Sequence, residues 1–229
     1  MKMIKTIKTI KLIKMEVKTV NEYRFRMYKR KMYKDYFEYI MEHKKNVFKV
    51  CWGRKMYLHA LTHDLSKLLP SEFFPYADWF YGEYGVKIEK QYPDKENYTN
   101  GQSCLSRSYL RCRIDFKYAW AKHYKRNKHH WEHWYNPITQ ECRYMPQKYI
   151  KQMICDWDAM ALKFGDTSRE FYMYNYDKIQ LNLKSRVELE FELGLIDEAC
   201  LISDITWKDY CERNNITMKE DLRRIKCNK

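Results

Sequence analysis

Glycine and proline are scarce, at 6 and 5 of 229 residues, so the turn chemistry that a fold of many short strands requires is missing and long helices are favoured. No apolar run approaches the roughly 20 residues that span a bilayer, and the N-terminus lacks the uninterrupted apolar core of a signal peptide. The 8 cysteines are dispersed from Cys51 to Cys227 with no CxxC pair, which argues against a zinc finger or a disulfide scaffold. A cytoplasmic protein in a reducing compartment fits this usage. Histidine is absent after His133, all 7 lying between His43 and His133. Imidazole is therefore concentrated in one part of the chain.

What is abundant is positive charge and aromatic side chains. The formal net charge is +14 and aromatics make up 17% of the residues. A surplus of this size attracts phosphate-bearing partners. Part of it sits in a leader, residues 1–18, where Lys2, Lys5, Lys8, Lys11, Lys14 and Lys18 face only Glu16. The rest is spread thinly, which favours a small phosphorylated substrate over nucleic acid. Lysine at every third position drifts around a helix, so the leader forms no clean amphipathic face and reads as frayed or loosely docked. The expected organisation is a basic leader over 1–18, a helical domain over 19–195 and a helical extension over 196–229. The fold class is all-α, with short helices in the last third.

From Val20 to Val50 no glycine or proline interrupts the chain, and Tyr33, Phe37, Ile40 and Met41 recur at helical spacing, which predicts a long helix containing His43. A second helix is expected from Arg54 to Leu65, with His59 and His63 four residues apart. Pro70 suits a first helical position and Glu72 a first turn. Residues 82–103 are rich in Gly, Asn, Pro and Asp and predict a long polar loop. A helix beginning near Cys104 should turn Ile114, Tyr118 and Ala121 inward. If it continues past His123, then His123 and His130 share a face, and His129 and His133 form a second pair. Met145 and Pro146 should open a helix with Tyr149, Met153, Asp156, Met160 and Phe164 on one side. Further helices are expected over Ser168–Tyr176, Lys184–Leu193, Trp207–Arg213 and Met218–Lys226, the last with a Thr217/Glu220 capping box.

The chain is organised around Thr62-His63-Asp64-Leu65-Ser66-Lys67. Adjacent His and Asp offer an imidazole and a carboxylate to one divalent cation. Asp156 is a carboxylate on a largely apolar helical face, costly there unless paired or metal-bound. Taken singly, the other candidates have ordinary explanations. His43 is a partly buried histidine on a Tyr-rich helix, His123 and His130 lie in a basic run, Glu72 and Lys67 suit helix termini, and the tryptophans suit a core. His59, His129 and His133 read as hydrogen-bond partners or packing residues.

In chain order, His43, His63-Asp64, His123, His129-His130 and Asp156 resemble the HD superfamily of metal-dependent phosphohydrolases, helical bundles in which a His, a His-Asp doublet and a distal Asp hold a cation. The additional histidines resemble the binuclear branches, although the Gly-Tyr-Pro signature of HD-GYP phosphodiesterases is lacking and a cyclic dinucleotide substrate does not follow. The segments HKKNVF, LTHDLSKLLPSEFFPYADWFYG, AWAKHYKRNKHHWEHW and MPQKYIKQMICDW look like an uncharacterised family of phage and bacterial HD-like proteins, over about residues 30–195.

The resemblance implies metal ligation by His43, His63, Asp64 and Asp156, with His123 and His130 completing a second position. It implies one or two divalent transition metals, whether manganese, cobalt, nickel, zinc or iron. Such an ion lowers the pKa of water and polarises a phosphoryl oxygen. Glu72 is then the candidate for proton transfer, and Lys67, Lys122, Lys125 and Arg126 are candidates for binding phosphate. Trp120, Trp131 and Trp134 are candidates for the pocket wall. Two other readings follow from the same pattern: a di-iron HD-type oxygenase, and a non-catalytic phage-type binding protein that keeps the HD fold.

Overall fold

The computed structural model describes residues 2–87 and 107–218, with side chains from Glu22 onward. Most of the loop expected over 82–103, the expected helix start near Cys104, and the last helix with Glu220 lie outside the described residues.

The described residues are overwhelmingly helical. Helix α1 spans Lys2–Gly53, so the backbone of the basic leader continues into the long helix, unlike the frayed segment expected. No glycine or proline precedes Gly53 to stop it. Then come α2 (Tyr57–Thr62), a 3-10 turn (Leu65–Leu68), α3 (Pro70–Tyr81) and α4 (Arg107–Arg126). A second 3-10 turn, Trp131–His133, leads into a small hairpin in which β1 (Tyr135–Asn136) pairs antiparallel with β2 (Glu141–Cys142). Helices α5 (Gln147–Phe164), α6 (Ser168–Tyr174), α7 (Leu183–Glu192), α8 (Glu198–Ile202) and α9 (Trp207–Arg213) follow. Among the described residues, no helix is long and apolar enough to cross a membrane.

The buried stripe of α1 is Met32, Tyr36, Ile40, His43, Val47 and Cys51, a run of three- and four-residue steps. Phe37 and Met41 lie off that stripe and are each 45% exposed. His43 is thus inward because it shares the face of Ile40 and Val47. The helix stops in a Schellman motif: Met56 N–H bonds to Cys51 O at 2.9 Å and Lys55 N–H to Trp52 O at 3.0 Å. Lys55 holds the left-handed position with φ 60, where glycine is usual.

Two compact units are distinguished. The first contains residues 1–40 and 73–117 and is held by aromatic packing. Tyr36 lies 5.2 Å from Phe73, Tyr76 lies 5.2 Å from Phe116, and Trp79 stacks on Phe116 at 5.1 Å. Lys29 and Asp78 add an ion pair at 2.5 Å.

The second unit contains residues 41–72 and 118–229. Here α5 packs against α6 and α7, and Met145, Ile150, Met153, Tyr172, Leu189 and Trp207 are the heart of its core. Thr167, Asn182, Asp197 and Thr206 each cap a following helix with a side-chain oxygen, which explains how such short helices persist. Helix α8, with five residues, is too short for its periodicity to be read in sequence. Glycine ends α5: Gly165 takes φ 80 and returns its N–H to Ala161 O. A separate apolar cluster joins Val47, Cys51, Ala60, Cys155 and Ala159, and it lies beside His43 on α1 and Asp156 on α5 in the sequence of each helix.

Two expectations for α4 are corrected. Its inward residues are Tyr109, Ala119 and His123, whereas Ile114 and Tyr118 are each 64% exposed. A helix turns one stripe inward, and the stripe that carries His123 is displaced by about half a turn from 114 and 118. The helix also ends at Arg126, so His123 and His130 do not share a continuous helical face. Asn127 ends it, returning both its N–H (3.0 Å) and its side-chain amide (2.9 Å) to His123 O. Likewise, His129 and His133 are not a helical pair: His129 is buried, and His133 Nδ1 bonds to Tyr124 O at 3.0 Å.

Candidate metal centre

The His63-Asp64 doublet sits at a break in the backbone. Helix α2 closes at Thr62, shorter than the expected span to Leu65, because Asp64 takes φ 52, ψ 27. A left-handed backbone is costly for most residues and tolerated by Asp. This kink leaves both side chains buried, at 2% and 1% exposure. Lys44 Nζ anchors the junction by donating to His63 O at 3.0 Å. From α4 comes His123, buried completely. The turn after Asn127 brings in His129 and His130, and α5 brings in Asp156.

These side chains converge. His43 Nε2 lies 3.2 Å from His63 Nε2 and 3.0 Å from Asp156 Oδ1. His63 Nε2 lies 3.3 Å from Asp156 Oδ1 and 3.4 Å from Asp64 Oδ2. The other Asp64 oxygen, Oδ1, lies 3.3 Å from His123 Nε2 and 3.4 Å from His129 Nε2. His123 Nε2 in turn lies 2.9 Å from His130 Nε2. One carboxylate thus divides its oxygens between two donor sets.

The fit to a metal can be tested by geometry. Bonds of about 2.1 Å give donor-to-donor edges of about 3.0 Å in an octahedron and about 3.4 Å in a tetrahedron. The separations above fall in that interval except His123 Nε2 to His130 Nε2, which at 2.9 Å lies just below it. Hydrogen bonding explains only part of them: His43 pairs with His63 and His123 with His130, but both oxygens of Asp64, Oδ1 of Asp156 and Nε2 of His129 are buried without a hydrogen bond of acceptable geometry. Among the described residues, four groups of three donors, drawn from His43, His59, His63, His123, His129, His130, Asp64 and Asp156, have their ligand atoms within 4.8 Å of one another. These buried His and Asp groups are positioned to hold a metal ion.

Electrostatics puts the two carboxylates and three of the imidazoles in their ligating forms, whereas His123 is raised, Asp64 and Glu72 outweighing its burial. Burial alone would push the Asp64 carboxyl up, but His63, Lys67 and His123 hold it well below the usual carboxylate range. Asp156 is likewise held low, His63 and His43 outweighing burial. Burial drives His129 down to about 3 and His59 down to about 4, and it drives His130 well below the ordinary imidazole value. Carboxylates are ionised and these imidazoles neutral at physiological pH.

A second layer orients the first. Glu72 is fully buried, and its Oε2 accepts from His123 Nδ1 at 2.9 Å and from Ser66 Oγ at 2.7 Å. Its other oxygen accepts from Arg126 at 2.6 Å. A proton held on Nδ1 by Glu72 would leave the His123 Nε2 lone pair free for a metal beside Asp64 Oδ1, the arrangement by which carboxylates fix ligating histidines. His59 Nε2 lies 3.3 Å from His63 Nδ1. Lys67 Nζ approaches Asp64 Oδ2 to 2.5 Å, so its charge offsets the buried carboxylates.

The six ligands implied by resemblance, His43, His63, Asp64, His123, His130 and Asp156, are therefore brought together. So are two residues assigned in sequence to packing or hydrogen bonding: His59 and His129 are donors as well. The four-residue spacing of His59 and His63 was the available signal for the first, whereas His129 is placed by a turn that no periodicity reveals. Glu72 and Lys67 lie beside the donors, and Arg126 is joined to Glu72. Lys122 Nζ packs 4.4 Å from the Tyr118 ring. Trp120 and Trp131 line a cavity of about 300 Å³ that is bounded by His130, Asp156, Trp157 and Glu132. Trp134 packs instead against the C-terminal core.

A family model described as a family of unknown function (DUF5662) matches residues 32–193, a span that contains every donor named above. No curated protein matches the chain, and no solved structure matches it.

Proposed function

The chain belongs to the DUF5662 family of unknown function, and from the donor geometry it carries we propose that it is a metal-dependent phosphohydrolase of the HD-superfamily type, acting on a nucleotide or another small phosphate ester. The observation that supports this most is Asp64, whose two oxygens face separate donor sets. Such a carboxylate suits a pair of ions, the arrangement common in phosphoester hydrolysis. Metal held by these residues would supply Lewis acidity, lowering the pKa of water and polarising a phosphoryl oxygen.

The chain's own residues have the remaining tasks. Glu72 acts through His123, holding its Nδ1 proton and so its orientation. Lys67 balances the charge of Asp64. Trp120, Trp131 and Trp157 wall the adjoining cavity, and Arg126, 47% exposed at its side chain, offers phosphate a guanidinium.

The test is phosphate or nitrophenol release from mononucleotides, p-nitrophenyl phosphate and bis-p-nitrophenyl phosphate after stripping and reloading with manganese. Turnover that requires metal and vanishes in Asp64→Ala is expected. A metal-loaded, folded protein inert across that panel contradicts the proposal. The excess of imidazole, six histidines to two carboxylates, supports a second reading, because nitrogen-rich sites also suit iron. Two irons per chain with oxygen consumption on a polyol or phosphonate would select a di-iron oxygenase.

A further inference from the structure

A second opening reaches the cluster from a different side. An open groove of about 880 Å³ has His59 and His129 on its wall, with the turn after α1, the Arg126–His129 turn and the start of α5 forming the rest. Its wall carries Lys55, Arg126, Lys128, Lys148 and Lys151 and no carboxylate. Arg126 is joined to Glu72 at 2.6 Å and Lys151 to Glu192 at 3.2 Å. Lys55, Lys128 and Lys148 have no carboxylate partner among the described residues. Lys128 and Lys148 instead flank the Tyr149 ring, at 5.8 and 5.0 Å, and Tyr57 adds a second ring, 46% exposed.

Lys55 occupies the left-handed position that closes α1. Glycine would relax that strain. The charge that is diffuse along the sequence is therefore gathered here from three distant segments. Cations along an open groove, interleaved with rings, match the requirements of a flexible polyanion with flat bases. A single small phosphate needs neither the length nor the rings.

We propose that this groove binds single-stranded nucleic acid, its phosphates on Lys55, Lys128 and Lys148 and its bases against Tyr57 and Tyr149. Resting on the phosphohydrolase reading, this replaces the small phosphate ester as substrate with a phosphodiester strand led towards His59 and His129.

The experiment is fluorescence anisotropy with a fluorescein-labelled deoxythymidine 12-mer in EDTA, so that binding is read without turnover. Lys128→Glu/Lys148→Glu is compared with a charge-matched control on exposed residues outside the groove, Lys178→Glu/Lys208→Glu. The groove variant should bind at least tenfold more weakly than wild type and the control less than threefold. The salt dependence of log K should flatten by about 1.4 for the two lost lysines, at about 0.7 each on a single strand. Lys55→Gly, which relieves strain while removing a charge, should weaken binding about threefold in a folded protein. Equal losses in the two double variants would overturn the proposal. So would tripolyphosphate competing as well as the oligonucleotide at equal phosphate concentration. Binding without bis-p-nitrophenyl phosphate hydrolysis would remove the hydrolase and keep the groove; hydrolysis without oligonucleotide binding would do the reverse.

Discussion

Asp64→Asn should abolish metal-induced stabilisation altogether, whereas His123→Gln should halve it. Asp64 gives one oxygen to the set containing His43 and His63 and the other to the set containing His123 and His129. His123 belongs to the second set alone. An ion present at about 100 times its dissociation constant stabilises the folded chain by about 2.7 kcal/mol. Two ions then contribute about 5 kcal/mol, and at about 2–4 °C per kcal/mol for a chain of this size the melting temperature should rise by about 10–20 °C. The readout is differential scanning fluorimetry with and without manganese. The metal-induced shift of each variant is compared rather than its absolute melting point, because removing a buried charge also changes the metal-free protein. A rise in Asp64→Asn as large as in wild type would refute the shared-carboxylate reasoning. A full shift in His123→Gln would refute the second donor set.

Three further outcomes follow from particular contacts. Glu72→Gln removes the carboxylate that fixes His123 Nδ1 and should weaken one of two ions by about 10–100-fold while sparing the other, as read by calorimetric titration; uniform weakening would contradict its place behind His123. Glu190 is fully buried, and burial raises its carboxyl above the ordinary value despite hydrogen bonds from Tyr172 and Trp207. A raised folded value means stability that is complete below about pH 4.5 and lost as pH climbs through the folded value. Glu190→Gln should therefore gain on wild type in urea titrations from pH 4.5 upwards, and a gap that narrows with pH would be wrong for this account. Lys55→Gly should stabilise the chain by about 1 kcal/mol, and a loss on urea unfolding would show that the left-handed lysine carries no strain.

The all-α architecture was legible because so little glycine and proline interrupts the chain, and the helix expected over Trp207–Arg213 has those bounds. The order of His43, His63-Asp64 and Asp156, through the resemblance it carries, pointed to four of the eight clustered residues. Periodicity misled where several stripes competed on one helix: Tyr118 looked inward, yet α4 turns His123 and Ala119 in. The left-handed backbones at Lys55 and Asp64 were invisible, since neither residue announces that conformation as glycine would. His129 was undervalued because its place depends on how Asn127 ends α4, a tertiary outcome with no sequence period. The hairpin of two-residue strands is likewise too short to leave an alternating pattern.

The central claim is a pair of ions shared by Asp64, and anomalous diffraction from crystals grown with manganese tests it most directly. Two peaks about 3.5–4 Å apart, on either side of the Asp64 carboxylate, one beside His43 and His63 and the other beside His123 and His130, are the expected result. A single peak remote from Asp64, or none in crystals that diffract well and contain the metal, would contradict it.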